Sequence, residues 1–403
     1  MDPVTAASAA WRARRLAGDL QRRGLLTDLR WAEALRAVPR HLFVPQAGWA
    51  ASDTPGSAGR RIDAAVDPMS WQDAVYSDSS IVIQADDGVG DPASGQGLAT
   101  SSVSAPGVVV EFLELLDVRP GDRILEIGTG SGWTTALLCH IAGDHQVTSI
   151  EVDPVLAAKA AAAIKAAGYA PRLITGDGAA GDPGGAPYDR IHVTCGIADI
   201  PRAWIAQARP GGLIVLPWSP GGSTGHKLRL AVVDESTAVG SFHGPATYMM
   251  LRAQRRAAVW NPHHHSQAGT ATTRLDPRSI AGAGDGACLA ITAQVPGVGW
   301  HTIREQDGAT SLLLYEAGNP GGAWAACDYE PGAADFPVTQ FGPRRLWDEV
   351  VAAYRSWLRS GSPGRQRYGI TVDAESTRIW LDNPRNIIGE PLPLSPQPAQ
   401  RGA

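Results

Sequence analysis

Three acidic residues and three glycines carry the chemistry that can be read from this chain. Glu126 lies in the apolar run Ile124-Leu125-Glu126-Ile127, Glu151 ends QVTSIE, and Asp177 ends PRLITGD. Between the first two acids stand Gly128, Gly130 and Gly132, at alternate positions. Glycines in that pattern let a turn take unusual backbone angles and let a ligand lie almost on the main chain. A GxG alone is weak evidence. The dinucleotide fingerprint would put its third glycine where Trp133 stands, and the GK[ST] ending of a phosphate loop is absent. A carboxylate two residues before the first glycine suits a cationic ligand without phosphate better than a phosphate cradle. A glycine turn that binds nothing is the competing reading, and any one acid fits a solvated strand end. All three in register argue for a site.

The elements around these residues follow a strand–helix alternation. Ile124–Ile127 reads as a buried strand, TTALLCHIA as a buried helix, QVTSIEVD as a second strand and PRLITGDG as a third. YDRIHVTCG gives a fourth strand, and RPGGLIVLPW a helix exit and fifth strand. That succession predicts an α/β fold, a Rossmann-like doubly wound sheet. LEIGTGSG resembles motif I of class I methyltransferases, which implies S-adenosyl-L-methionine as cofactor and S-adenosyl-L-homocysteine as product. On that resemblance the cofactor set is Glu126, Gly128, Thr129, Gly130, Ser131, Gly132, Glu151, Val152, Asp177, Gly178 and Thr194. Glu151 stands where nucleotide-binding units carry the acid for the ribose hydroxyls. Asp177 matches the acid that contacts the adenine amino group in such enzymes.

Composition sets the remaining bounds. A chain of 403 residues predicts two domains, with room for a small third. The net charge of −5, without a dense basic block, gives no support for nucleic-acid binding. The four cysteines have no paired spacing, so neither a zinc motif nor a disulfide frame is expected. No signal peptide or membrane-length apolar run is evident, and the expectation is a cytoplasmic protein without membrane contact.

Further motifs narrow the resemblance. LRAVPRHLFVP (35–45), Val75-Tyr76-Ser77-Asp78 and SVSAPG (102–107) precede the glycine turn, and KLRLAVVDESTAVGSFHGPATYMMLR follows the fifth strand. These resemble, in order, signatures of the protein L-isoaspartate O-methyltransferases: Val-Pro-Arg, Ala-Tyr-x-Asp, Thr-Ile-Ser-Ala-Pro-His and the closing antiparallel strands. The resemblance covers roughly residues 7–252. It implies that Ser102, Val103 and Ser104 line the substrate side, with Ser104 as catalytic residue beside the methyl donor, bonding the substrate carboxylate. An ionised carboxylate is already a nucleophile, so orientation and water exclusion do most of the work and no general base is needed. The bland alternative for Ser104 is a cap on the helix starting at Pro106.

Three departures point to a specialised branch. An acidic, glycine-rich stretch lies between Ser80 and Ser101, where a loop insertion is expected; Gly107 replaces the motif's histidine; and the chain continues through 253–403. These resemble maturation enzymes of ribosomally made peptides (graspetides, lanthipeptides, lasso peptides), which methylate an ordinary aspartate whose ester collapses to an aspartimide. The preferred expectation is therefore a carboxyl O-methyltransferase acting on a precursor peptide. Repair of isoaspartyl residues is the lead alternative, and an idle peptide-binding module is a rival the retained acids disfavour. The expected organisation is 1–100 as helices plus substrate-side insertion, 101–252 as the cofactor-binding core, and 253–403 as an α+β module gripping the peptide or buttressing the core. Within that module 253–300 reads as loop, GPRRLWDEVVAAYRSWLRSG as an amphipathic helix, and RYGITVDAESTRIWLDNP as a hairpin. His263-His264-His265 reads as a solvated or substrate-facing loop, with no metal site expected.

Overall fold

The structure, a computed structural model, describes residues 3–52, 58–221, 224–255, 262–319 and 321–392. It divides into two compact units. One comprises residues 1–195 and 203–216, the other 196–202 and 217–403.

The first unit opens with helices α1 (Pro3–Arg22) and α2 (Leu29–Ala37). Asp28 starts α2 by accepting the Arg30 backbone N–H, and the helix ends at Val38, where Pro39 disfavours a further helical residue. A 3₁₀ turn, Arg40–Phe43, leads into strands β1 (Ala47–Ser52) and β2 (Arg60–Asp63), then α3 (Pro68–Val75). Strands β3 (Ser79–Ala85) and β4 (Ala99–Val103) complete an antiparallel sheet of order β2-β1-β3-β4. Within the stretch 80–101, residues 80–85 and 99–101 thus belong to the two strands of a hairpin, and 86–98 is its loop. Ile81 and Val82 pair with Val103 and Ser102 across the sheet, which the glycine content of the sequence concealed.

Helix α4 (Pro106–Leu116) then feeds the parallel sheet: β5 (Ile124–Ile127), α5 (Trp133–Ala142), β6 (Val147–Glu151), α6 (Pro154–Ala166), β7 (Arg172–Thr175), β8 (Tyr188–Val193), α7 (Arg202–Gln207) and β9 (Ala208–Trp218). The order β9-β8-β5-β6-β7 is parallel throughout. The chain leaves β5 toward β6 on one side and later returns to β8 on the other. The topological switch point therefore lies at the carboxyl ends of β5 and β8, where open α/β sheets bind ligands. Every residue of β5 and β6 is buried, as strands covered on both faces must be. Leu137 and Leu138 of α5 are fully buried, each contributing ~1.5–3 kcal/mol of hydrophobic stabilisation.

In the second unit, β10 (Gly225–Val232) and β11 (Ala238–Ala246) form an antiparallel pair. After β12 (Gly269–Thr273) come α8 (Pro277–Ala281), α9 (Gly284–Gln294), β13 (Val298–Arg304), β14 (Thr310–Glu316), β15 (Trp324–Tyr329), β16 (Phe336–Phe341), α10 (Leu346–Arg359) and the hairpin β17 (Tyr368–Val372) and β18 (Thr377–Leu381). Strands β12-β16-β15-β14-β13 make one antiparallel sheet, packed against the three helices through Leu312, Leu314, Trp347 and Val350. Helix α9 corrects the expected loop: it is apolar around its circumference and flanked by glycines, so it shows no amphipathic period. The terminal hairpin pairs with β11, not with the five-stranded sheet. Strands β10 and β11, placed with the core from the sequence, thus group with the C-terminal half.

The histidine stretch, expected as a solvated or substrate-facing loop, keeps His265 exposed and His264 half-buried. Residues Pro262–Gln267 form a 3₁₀ turn in which His264 stacks on Phe341 at 4.1 Å and His265 meets Trp324 edge-on. The side chain of His263 lies outside the described residues. Among those residues no three His, Cys, Asp or Glu side chains gather as metal ligands, and no helix is long and apolar enough to cross a membrane.

Candidate functional site

The glycine turn after β5 is built on hydrogen bonds to its neighbours. Gly128 and Thr129 both donate their backbone N–H to Ile150 O, at 2.8 and 3.2 Å, and Gly132 donates to Thr129 O at 2.8 Å. Gly128 has a φ of 95°, and a Cβ there would run into the Thr194 hydroxyl. That hydroxyl donates to Ile127 O at 3.0 Å and to Gly128 O at 2.5 Å, so Thr194 clamps the turn from the end of β8. A Cβ at Gly130 would instead meet Ser101 Oγ and the Ser102 carbonyl at ordinary van der Waals distance, 3.7 and 3.9 Å.

The acids converge on this turn. Glu151 is buried at the end of β6 and accepts Gly130 N–H at 2.8 Å through one oxygen and Asp153 N–H at 3.0 Å through the other. Asp153 caps α6 and accepts from the Gln84 side chain at 3.0 Å, while Thr100 donates to Gln84 at 3.0 Å. The hairpin β3–β4 is thereby wired to the acid beside the glycine turn. Asp177 is exposed and caps a short turn at Ala179 N–H, with Gly178 buried against Ile127. Cys195, next after Thr194, has its thiol pushed up to about 12 by burial, with the charges of Glu151 and Asp177 adding to it.

Glu126 lies beneath the turn, fully buried. One oxygen accepts hydrogen bonds from the hydroxyls of Thr135 and Ser149, and Thr129 bonds the same serine at 2.6 Å. Its other oxygen has no partner. Burial pushes the Glu126 carboxyl up to about 7, opposed by the Thr135 and Ser149 hydroxyls and reinforced by the charge of Glu151. Ser131 sits at the mouth of the turn, its hydroxyl 3.4 Å from Trp133 N–H.

Ser102, Val103 and Ser104 run from β4 toward α4, with the Ser102 carbonyl facing Gly130. Ser104 is half-buried and does not cap the helix: the capping position is Ala105, without a side-chain bond. The helix start is served from elsewhere, because Asp78 accepts Gly107 N–H at 2.6 Å. Among the described residues the Ser104 hydroxyl has no hydrogen-bond partner.

Comparison with known proteins fits this geometry. Residues 64–241 match the family model Protein-L-isoaspartate(D-aspartate) O-methyltransferase. The chain is 38% identical over 187 residues to protein-L-isoaspartate O-methyltransferase 2 of Archaeoglobus fulgidus, covering 46% of this chain and 68% of that one. Against the protein-L-isoaspartate O-methyltransferase of Methanopyrus kandleri it is 36% identical, covering 50% of this chain and 75% of that one. The chain belongs to the protein-L-isoaspartate O-methyltransferase family. It is an S-adenosyl-L-methionine-dependent carboxyl O-methyltransferase with the class I fold. A solved structure titled protein-L-isoaspartate O-methyltransferase shares that fold with a TM-score of 0.52 at 19% identity, over 92% of this chain and 100% of its own. The fold likeness thus runs well past the family model, and length beyond residue 252 does not by itself set this chain apart.

The residues present fit the family's cofactor. A buried carboxylate with an unpartnered oxygen beneath a glycine turn suits a cationic amino-acid end. Val152, after Glu151, is an apolar residue left 37% exposed. Four residues that position this site were not in the predicted set: Arg40, Asp78, Gln84 and Asp153. The first two stand in the quoted motifs, and Asp153-Pro154 carries a helix-start signal. Gln84 has no signal in the sequence at all.

Proposed function

We propose that this enzyme esterifies the free carboxylate of an isoaspartyl residue in a polypeptide, with Ser104 donating a hydrogen bond to that carboxylate. The observation that carries this reading is the unpartnered Ser104 hydroxyl, two residues after the Ser102 carbonyl that faces Gly130, in a chain whose relatives are named for that activity. In this reading Glu126 and the turn Gly128–Gly132, with Thr129 and Ser131, hold the amino-acid end of the cofactor. Glu151 takes the ribose hydroxyls, and Val152, Asp177 and Gly178 border the adenine, with Thr194 bracing the turn. The bound cofactor supplies a methyl group already activated on a sulfonium. A carboxylate oxygen takes the methyl carbon as the carbon–sulfur bond breaks and its electron pair stays on sulfur. Ser104 orients the second carboxylate oxygen, and no residue has to remove a proton.

A second reading is favoured by the departures at the substrate side, Gly107 and the acidic loop 86–98. It takes the substrate as an ordinary aspartate in a ribosomally made precursor peptide. The next backbone nitrogen then attacks the methyl ester, methanol leaves and an aspartimide remains. Intact mass spectrometry of two peptides separates the readings. Methylation confined to the isoaspartyl peptide supports repair chemistry, whereas net loss of water from the aspartyl precursor establishes maturation and sinks the first reading.

Ser104→Ala is expected to lower kcat/KM by ~10- to 100-fold, the worth of one hydrogen bond to a charged group. Affinity for S-adenosyl-L-homocysteine, measured by calorimetry, should stay within about twofold. An equal loss of both would mean the serine acts through folding. The raised Glu126 carboxyl gives a pH dependence with a definite sign. A cationic ligand end prefers the ionised acid, so affinity should rise as pH climbs through about 7. Glu126→Gln should flatten that rise, and an unchanged slope would remove Glu126 from the ligand's surroundings.

A further inference from the structure

We infer that Arg40 and Asp78 form a two-sided clamp that positions Ser104 and keeps its hydroxyl free for substrate. This rests on the role proposed above for Ser104. Arg40 is 1% exposed. Its guanidinium donates to the carbonyls of Val103 (3.3 Å) and Ser104 (2.9 Å) on one segment, and to those of Val75 (2.5 Å), Ser77 (3.4 Å) and Ser79 (2.9 Å) on another. The same guanidinium lies over the ring of Trp133, 5.0 Å from its centroid, where α5 leaves the glycine turn. One buried cation therefore ties the substrate segment to the cofactor turn.

The Ser77 and Ser79 carbonyls bracket Asp78, so Arg40 also fixes the backbone that presents this acid. Asp78 reaches the start of α4 and accepts Gly107 N–H at 2.6 Å through one oxygen, while the other pairs with Arg23 at 2.6 Å. A helix start needs an acceptor for its first N–H groups, and a nearby serine is the usual supplier. Here Asp78 takes that duty from a distance, which releases Ser104. A Cβ at Gly107 would stand 2.7 and 2.9 Å from the two Asp78 oxygens, closer than real contacts allow. Gly107 and Asp78 are thus one device. Carbonyls 103 and 104 are held from one side and amide 107 from the other, with the serine between them.

The test uses the full chain with S-adenosyl-L-homocysteine bound and two variants that break the clamp differently, Asp78→Ala and Gly107→Ala. Hydrogen–deuterium exchange over 103–110 should quicken at least tenfold in both, while homocysteine-product affinity stays within about threefold. On whichever peptide the wild type methylates, kcat/KM should fall ~10- to 100-fold in both. Asp78→Asn should recover most of it, since its amide oxygen still accepts Gly107 N–H. Unchanged exchange at 103–110 overturns the clamp, and so does turnover within threefold of wild type. A parallel loss of stability, product affinity and turnover without rescue by asparagine assigns these residues to folding alone. The exchange arm needs no substrate, so it decides the clamp even where the proposed substrate fails.

Discussion

Glu151→Ala is expected to weaken binding of S-adenosyl-L-homocysteine by about three orders of magnitude, roughly 4 kcal/mol. The carboxylate accepts two backbone N–H groups, from Gly130 and Asp153, and is itself buried. Hydrogen bonds to an ionised acceptor contribute ~1.5–3 kcal/mol each, and a buried donor left without an acceptor costs about 1–3 kcal/mol. Alanine therefore loosens the middle of the glycine turn before any ribose contact is counted. Glu151→Gln separates the two contributions. Its amide oxygen keeps one of the backbone bonds, so the turn should hold better than in the alanine variant while ribose recognition suffers. Calorimetry and thermal unfolding of the ligand-free forms give both numbers. Product affinity within tenfold of wild type in Glu151→Ala would take this acid out of the cofactor site.

Residue types made the strand ends of the core legible. Glu126, the glycines and Glu151 lie where local spacing puts them, because a parallel strand followed by a tight turn and a helix is a local structure. What escaped the sequence is what long-range contact decides. Thr194 is a strand-end residue in sequence, but in the fold its hydroxyl is spent on Ile127 and Gly128 carbonyls. Gln84 reaches Asp153 across 69 residues, and Arg40 reaches Ser104 across 64. Helix α9 was invisible because a segment buried on all sides carries no period. The hairpin β3–β4 was hidden by loop-like composition at its tip. The sequence marks Gly107 as a departure from the family pattern, but only the fold sets it against the Asp78 carboxylate.

Gly128 and Gly130, two of the turn's three glycines, should differ in stability when given the same methyl group, and this contrast tests where the cofactor lies. Gly128→Ala places a Cβ on the Thr194 hydroxyl in a backbone of φ 95°. The strained angle costs ~1–3 kcal/mol, and displacing Thr194 removes two hydrogen bonds worth ~0.5–1.5 kcal/mol each. The expected outcome is a loss of about 3–5 kcal/mol of stability, with cofactor binding lost alongside it. Gly130 has a φ of 54°, inside the region other residues reach for ~1–2 kcal/mol, and its added Cβ would meet nothing nearer than 3.7 Å. Gly130→Ala should therefore fold with only a modest drop in melting temperature. Its methyl group nevertheless occupies the face between the turn and Ser101–Ser102, on which the proposed reading lays the ligand. Product affinity should fall at least ~10-fold in this well-folded variant, since even one methyl in a closely fitted contact costs 1–3 kcal/mol. If Gly130→Ala binds S-adenosyl-L-homocysteine as tightly as wild type, the ligand does not pass over that face. Ser104 would then lie too far from the transferred methyl to orient the carboxylate that receives it.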